Sequence, residues 1–347
     1  CLPRPRPPDG RRCHRAGVPG RSDPVSRVRR AVVLATVVLA ASSVAAPAIL
    51  RRSGHGGAGS AAPRTSPTGA PPRPTVRPGT TTTSTVPLTL RSTPLFPLGR
   101  TPTAADPLRV MLIGDSVMHE AGPGIAAALQ ATGAATVSNN SFPGWGLTID
   151  HAYRDHLAGL VAVHRAEVVI GTWSWDDRMA ATDPAGYRAL LDDALSVMLR
   201  PGDGGRGVIF LEFPKIDIPP GGPALSQASV EADRQAWNTI AAQEAEAHPG
   251  RVAYLAVAGA IELDGRFSYW LPRPGGGWVR IRKVDGTHLC PAGAALLGAA
   301  VDDALAPAWG LPVRQPGWDT AAWTADPLYD TPPGSCPADQ PPGVRAP

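Results

Sequence analysis

From residue 108 onward the sequence predicts an α/β fold, with a parallel five-stranded sheet sandwiched as the middle of three layers, α/β/α. Two observations predict it. Five short apolar runs alternate with stretches of helical spacing, the pattern of repeated βα units. The runs are almost continuously apolar, as strands covered on both faces must be.

The elements follow in order. LRVMLIG (108–114) reads as the first strand and 120–132 as an Ala-rich helix. ATVSNNS (135–141) is the second strand and 150–164 the next helix. AEVVIG (166–171) is the third strand, and 183–200 is a helix with Pro184 at its start. GVIFLEF (207–213) and RVAYLAV (251–257) are the fourth and fifth strands, separated by a polar-faced helix over 226–247. On that helix Glu231, Asp233, Glu244 and Glu246 read as a solvated face. A last helix runs from Pro291 to about Leu305, ending a domain of residues 106–305. The Pro- and Trp-rich tail, 306–347, is expected to pack on that domain without regular structure.

What precedes the domain is different in kind. Residues 1–52 hold eleven Arg and two acids, a net of +9, and 53–100 add five Arg and no acid. Of the 33 Lys/Arg and 29 Asp/Glu in the whole chain, 17 (33 − 16) and 27 (29 − 2) remain for 101–347, a net of −10. The basic character belongs to the N-terminal part, and an acidic domain argues against nucleic acid as a partner.

Residues 31–50 (AVVLATVVLAASSVAAPAIL) carry no charge and are bracketed by Arg clusters. Twenty residues of helix span about 30 Å, enough to cross a bilayer. The basic residues 1–30 then read as a cytoplasmic tail before a transmembrane anchor. A cleaved signal segment ending near Ser43-Val44-Ala45 is the rival reading. Either exports the remainder, membrane-anchored or secreted. Residues 51–105, rich in Pro, Thr and Gly, read as a disordered linker. Within it Gly54-His55-Gly56-Gly57-Ala58-Gly59 matches a dinucleotide fingerprint formally, but no strand precedes it and no helix follows. Of the four cysteines, Cys290 and Cys336 lie in the exported part and are expected to form a disulfide.

Two short segments carry chemistry. Ile113-Gly114-Asp115-Ser116 ends the first strand, placing a serine at a helix start, where backbone N–H groups are unsatisfied and can hold an oxyanion. A serine hydroxyl needs a base. His288, in Asp285-Gly286-Thr287-His288 before the last helix, can supply it, with Asp285 near enough to fix the imidazole tautomer. No Cys/His cluster has metal-ligand spacing, so no metal or other cofactor is expected.

With LIGDS after a first strand and DGTH before a final helix, the chain resembles the SGNH (GDSL-like) hydrolase superfamily over about residues 108–305. The resemblance implies a flavodoxin-like fold and acyl-ester chemistry. It implies Ser116 as nucleophile, Asp285 and His288 as its partners, and an oxyanion hole built from the amides of Ser116 and Gly144, with Gly146 as the fallback. The family's third block usually carries G-x-N-D. Here it reads Gly171-Thr172-Trp173-Ser174-Trp175-Asp176, without the Asn. A missing oxyanion donor costs about 3–4 kcal/mol of transition-state stabilisation. The Trp-Asp pair is similar to the envelope O-acyltransferase-associated branch. That similarity implies an esterase or O-acyltransferase acting on ester-bearing cell-envelope carbohydrate, alongside an integral-membrane acyl donor protein. The alternative is a membrane-tethered envelope-binding module on the same fold, catalytically impaired.

Trp145, Trp173, Ser174, Trp175 and Asp176 are the candidates for contacting substrate, with packing as the competing role for the tryptophans. Arg280, Arg282 and Lys283 fit a solvated strand face better than an anion site. His119 reads as a bystander and Ser116 could also be a simple helix cap.

Overall fold

The computed structural model describes residues 90–149, 152–173, 178–199, 207–218 and 225–337. The basic tail 1–30, the apolar segment 31–50, the linker as far as 89, and Ser174, Trp175 and Asp176 lie outside the described residues. No helix among the described residues is long and apolar enough to cross a membrane.

Strands β1 (Leu108–Gly114), β2 (Ala135–Asn139), β3 (Val168–Thr172), β4 (Gly207–Leu211) and β5 (Val252–Leu255) form one sheet in the order β2-β1-β3-β4-β5, every pair parallel. The order reverses at β1, whose carboxyl end therefore opens onto a crevice flanked by the loops after β2 and β3. Six helices accompany the sheet among the described residues: α1 (Ser116–Gln130), α2 (Ala152–His164), α3 (Met179–Thr182), α4 (Pro184–Met198), α5 (Gln227–Ala247) and α6 (Pro291–Trp309).

Alternation along β1 divides the interior. Leu108, Val110 and Leu112 point into one core with Ile125 and Leu129 of α1 and Leu297 and Val301 of α6. Met111 and Ile113 point into a second core with Leu157 of α2, Leu191 of α4 and Trp237 of α5. Helices thus cover both faces, which is why the strands read as unbroken apolar runs.

Local signals set the helix ends. Asp183 caps α4, accepting the Gly186 amide at 3.0 Å, with Pro184 at the first position. Ser226 caps α5, and α6 stops at Gly310 in the left-handed conformation.

Several expectations are corrected. Helix α1 begins at Ser116, not 120, because Asp115 caps it. Helix α6 extends to Trp309, and the tail beyond it forms three short 3-10 turns. An antiparallel hairpin, β6 (Trp270–Pro272) with β7 (Trp278–Arg280), precedes the DGTH loop and had no clear sequence signal.

The linker does not reach 105. The Thr93 amide donates to the Tyr254 carbonyl at 2.9 Å, and Phe96 and Leu98 are buried in the first core. Trp309 Nε1 donates to the Phe96 carbonyl at 2.9 Å. Two apolar side chains embedded in a Pro- and Thr-rich stretch are enough to dock it.

The charged face of α5 is only partly solvated. Asp233 and Glu244 are buried, ion-paired with Arg178 at 2.6 Å and Arg188 at 3.1 Å from the neighbouring helices. Arg282 and Lys283 are likewise fully buried, not solvated.

Candidate active site

The strand-to-helix turn after β1 needs its glycine. Gly114 has φ +153°, and a Cβ there would lie 2.2 Å from the Thr172 carbonyl oxygen of β3. The turn delivers Asp115, buried, whose carboxylate accepts the amides of Val117 at 2.9 Å and Met118 at 3.4 Å. Ser116 is thereby fixed at the first position of α1, where its own amide donates to no described group.

The DGTH loop arrives from the other end of the chain. Asp285 Oδ1 accepts the amides of Thr287 at 2.9 Å and His288 at 3.0 Å, folding the loop onto itself. Asp285 Oδ2 lies 2.8 Å from His288 Nδ1, and His288 Nε2 lies 2.8 Å from Ser116 Oγ. The carboxylate assigns the proton to Nδ1, leaving Nε2 to accept from the serine hydroxyl. The chain Ser–His–Asp is therefore continuous across 172 residues of sequence.

Electrostatics match the geometry. Burial works against the Asp285 carboxylate, but the His288 ring and the two amides outweigh it and hold the group well below the usual carboxylate range. Burial also works against a charged His288. The hydrogen bond to Asp285 and the nearby Glu120 and Asp285 charges prevail, and the imidazole sits above its ordinary value.

The loop after β2 lies against the same turn. The Phe142 amide donates to the Gly114 carbonyl at 3.1 Å and the Asn140 amide to Leu112 at 2.9 Å. Gly144 adopts φ +76°, where only glycine is unstrained, and its amide donates to no described group. The amides of Ser116 and Gly144 are thus both unused on neighbouring segments of one rim. His119 Nδ1 lies 2.8 Å from the Ser141 carbonyl oxygen, bracing this loop.

The tryptophans divide. Trp173 is buried, its ring packed edge-on against Phe210 and Trp237 at 6.3 and 6.2 Å, and its carbonyl accepts the Tyr187 hydroxyl at 2.8 Å. It is a core residue; its place directly after β3 sets the ring in the second core. Its indole Nε1 and the neighbouring Thr172 Oγ1 are buried without a hydrogen-bond partner. Trp145 is half-buried on the loop after β2, 4.5 Å from the His156 ring and 5.8 Å from Tyr153.

Two residues were missed as site components. Lys283 Nζ, buried, lies 2.7 Å from Glu120 Oε1, one helical turn beyond Ser116. The four-residue spacing from Ser116 on α1 was the available signal. The expected disulfide, Cys290–Cys336, is present, with Cα atoms 5.7 Å apart, and it ties the tail to the residue that caps α6.

Among the described residues one group could offer metal ligands: Asp192, Glu244 and His248, between α4 and α5. Arg188 already pairs with Glu244 there at 3.1 Å.

A family profile described as a protein of unknown function, DUF459, matches residues 220–304, which include the DGTH loop and most of the last helix. Solved structures similar to the chain include a GDSL-like lipase from Bacteroides thetaiotaomicron, at 13% identity over 58% of this chain and 88% of that one, with a TM-score of 0.40. An esterase from Pseudoalteromonas matches at 12% identity over 57% and 97%, with a TM-score of 0.38. The lipopolysaccharide acetyltransferase periplasmic domain of Salmonella ser. Paratyphi A matches at 15% identity over 57% and 84%, with a TM-score of 0.40. No curated protein matches the chain. In its LIGDS and DGTH segments the chain resembles the SGNH (GDSL-like) superfamily.

Proposed function

We propose that this chain is a serine ester hydrolase or O-acyltransferase that acts, outside the cytoplasm, on acyl esters of cell-envelope carbohydrate. The observation that carries the reading is the unbroken series Ser116 Oγ, His288 and Asp285, each contact 2.8 Å. A serine already hydrogen-bonded to a neutral imidazole, itself held by a depressed carboxylate, is set up for general-base attack.

In this mechanism Ser116 Oγ adds to the ester carbonyl as its proton passes to His288 Nε2. Asp285 stabilises the imidazolium that results. The carbonyl electron pair moves onto oxygen, where the amides of Ser116 and Gly144 donate to it. Collapse expels the alcohol, which takes the proton back from His288, and leaves an acyl-serine. A second pass, with water or a sugar hydroxyl as the nucleophile, frees the serine. Water makes the enzyme an esterase and a sugar makes it a transferase.

Trp145, half-buried beside the loop that carries Gly144, offers a ring face on which a sugar can stack. Ser174, Trp175 and Asp176 follow β3 in sequence, in the block where the family's Asn would stand, and we assign them to substrate contact as well. The uncharged segment 31–50 supports a membrane anchor or export signal, with an integral-membrane acyl donor as the partner of a transferase.

The test is labelling of the full-length chain with a fluorophosphonate probe. We expect wild type to label and Ser116→Ala not to. A folded wild type that does not label favours the other reading, an envelope-binding module, for which the absent Asn and the inward-facing Trp173 are the motive.

A further inference from the structure

The buried pair Glu120–Lys283 lies immediately behind the triad, and no step above uses it. Glu120 stands four residues after Ser116 on α1, so the two side chains share a face. Lys283 stands opposite His288 in the catalytic loop: its amide donates to the His288 carbonyl at 2.8 Å, and its own carbonyl accepts the Gly286 amide at 3.1 Å. The Lys283 Nζ to Glu120 Oε1 contact of 2.7 Å therefore joins the serine's helix to the histidine's loop one step away from the Ser116–His288 hydrogen bond.

The contacts of the pair accommodate a charge on each partner. Lys283 Nζ meets three acceptors: Glu120 Oε1 at 2.7 Å, the Leu328 carbonyl at 2.7 Å and the Thr331 carbonyl at 3.1 Å. An ammonium supplies three N–H donors for these three acceptors, one of them the Glu120 carboxylate. A buried ammonium needs a counter-charge, and Glu120 is the acid in contact with it. Burial, helped by the Asp285 charge, holds the Glu120 carboxyl above its ordinary range, although the neighbouring His288 and Lys283 charges pull against it. The Tyr329 hydroxyl donates to the Glu120 carbonyl at 3.0 Å, so the same stretch of tail also grips the backbone of α1.

We propose that Glu120 is a positioning residue for His288: ion-paired to Lys283, its carboxylate locks α1 to the catalytic loop and favours the protonated imidazole formed during attack. The tail completes the device by supplying two of the three acceptors for Lys283, and the Cys290–Cys336 bridge holds that tail in place. The charged groups that act on the imidazole are Asp285 and Lys283 of its own segment and Glu120 of α1, with Arg282 and the Tyr329 hydroxyl bound to the backbone beside them. Arg282 donates to the Thr287 carbonyl at 2.9 Å. The proposal rests on the hydrolytic reading for its effect on rate, but not for its effect on the imidazole.

The experiment uses the full chain in two variants. In Glu120→Gln the amide oxygen can still accept from Lys283 while the negative charge is gone. NMR titration of the histidines, with His288 assigned by the signal lost in His288→Gln, should show its midpoint falling by about one pH unit. The acid limb of kcat/KM should move down with it, and the plateau should drop as the base weakens. Replacing both charges, Glu120→Gln with Lys283→Met, keeps the interior free of an unpaired ion, so this variant is expected to fold. It should lose about tenfold or more in kcat with little change in KM, the signature of a misplaced base. An unchanged His288 midpoint in folded Glu120→Gln, or wild-type kcat in the double variant, overturns the proposal. A wild type that fails to react with the fluorophosphonate probe counts against the esterase reading alone, and the imidazole titration then decides on Glu120.

Discussion

Substituting Gly124 by alanine should damage both stability and chemistry, although the residue lies two turns from the nucleophile. Helices α1 and α6 meet backbone to backbone. A Cβ on Gly124 would lie 2.2 Å from the Ala294 carbonyl oxygen, and one on Gly298 would lie 2.4 Å from the Gly124 carbonyl oxygen. Real Cβ contacts do not fall below 3.0 Å, so Gly124→Ala must part the helices by at least 0.8 Å (3.0 − 2.2). Overpacking of this kind costs about 1–3 kcal/mol. Its direction matters more. Helix α1 begins with Ser116, and α6 begins at Pro291, three residues after His288. Parting them stretches the 2.8 Å contact between Ser116 Oγ and His288 Nε2. Misplacement of about 1 Å costs roughly a hundredfold in rate. The assay is the second-order rate of fluorophosphonate labelling, paired with urea unfolding. Gly159→Ala is the control: it sits in α2 with nothing within 4 Å of its Cβ, and it should gain up to about 1 kcal/mol of helix propensity at unchanged rate. A Gly124→Ala protein with wild-type midpoint and labelling rate would refute the coupling of the helix contact to the site.

Other predictions concern the same machinery. The acid limb of wild-type kcat/KM should have its midpoint above about 6.5, because the base must be neutral and its folded value is raised; a pH profile with a midpoint below that value contradicts it. Stability follows two opposite signs. The depressed Asp285 adds stability above its unfolded value, lost as pH falls through the folded one, whereas the raised His288 adds stability on the acid side, lost as pH rises through its folded value. His288→Gln should remove the second dependence, readable from denaturation midpoints across pH. Cys336→Ser opens a bridge with a sequence separation of 46 and should cost about 4 kcal/mol by chain entropy, measured by urea unfolding with and without reductant. Trp173→Ala should cost about 3–5 kcal/mol of stability, whereas Trp145→Ala should act chiefly on KM.

The parallel sheet was legible because its strands are buried on both sides, which leaves a near-continuous apolar signature that few other structures produce. The triad was legible because two short motifs flank turns whose positions relative to strand and helix are set by that sheet. The buried ion pair was not. Arg280, Arg282 and Lys283 look like an exposed alternating run, and only the fold brings Glu120 and two tail carbonyls around Lys283. Gly122, Pro123 and Gly124 depress helix propensity within α1, although Gly124 is what lets α6 approach. Trp173 was ambiguous for a simpler reason: an aromatic at the end of a strand reads alike whether it faces a core or a ligand.

The segment around Thr93 has a practical consequence. Strand β5 is the last in the sheet, and Ser92 and Thr93 occupy its free side: the Ala256 amide donates to Ser92 Oγ at 2.9 Å and the Tyr254 amide to Thr93 Oγ1 at 2.8 Å. Any shortened version that starts at the first strand would strip this border and leave unpaired peptide groups able to recruit a strand from another molecule. Truncations intended for crystallisation or labelling should therefore keep everything from Leu90, and a version cut at Pro107 is expected to self-associate in size-exclusion chromatography where the longer one does not.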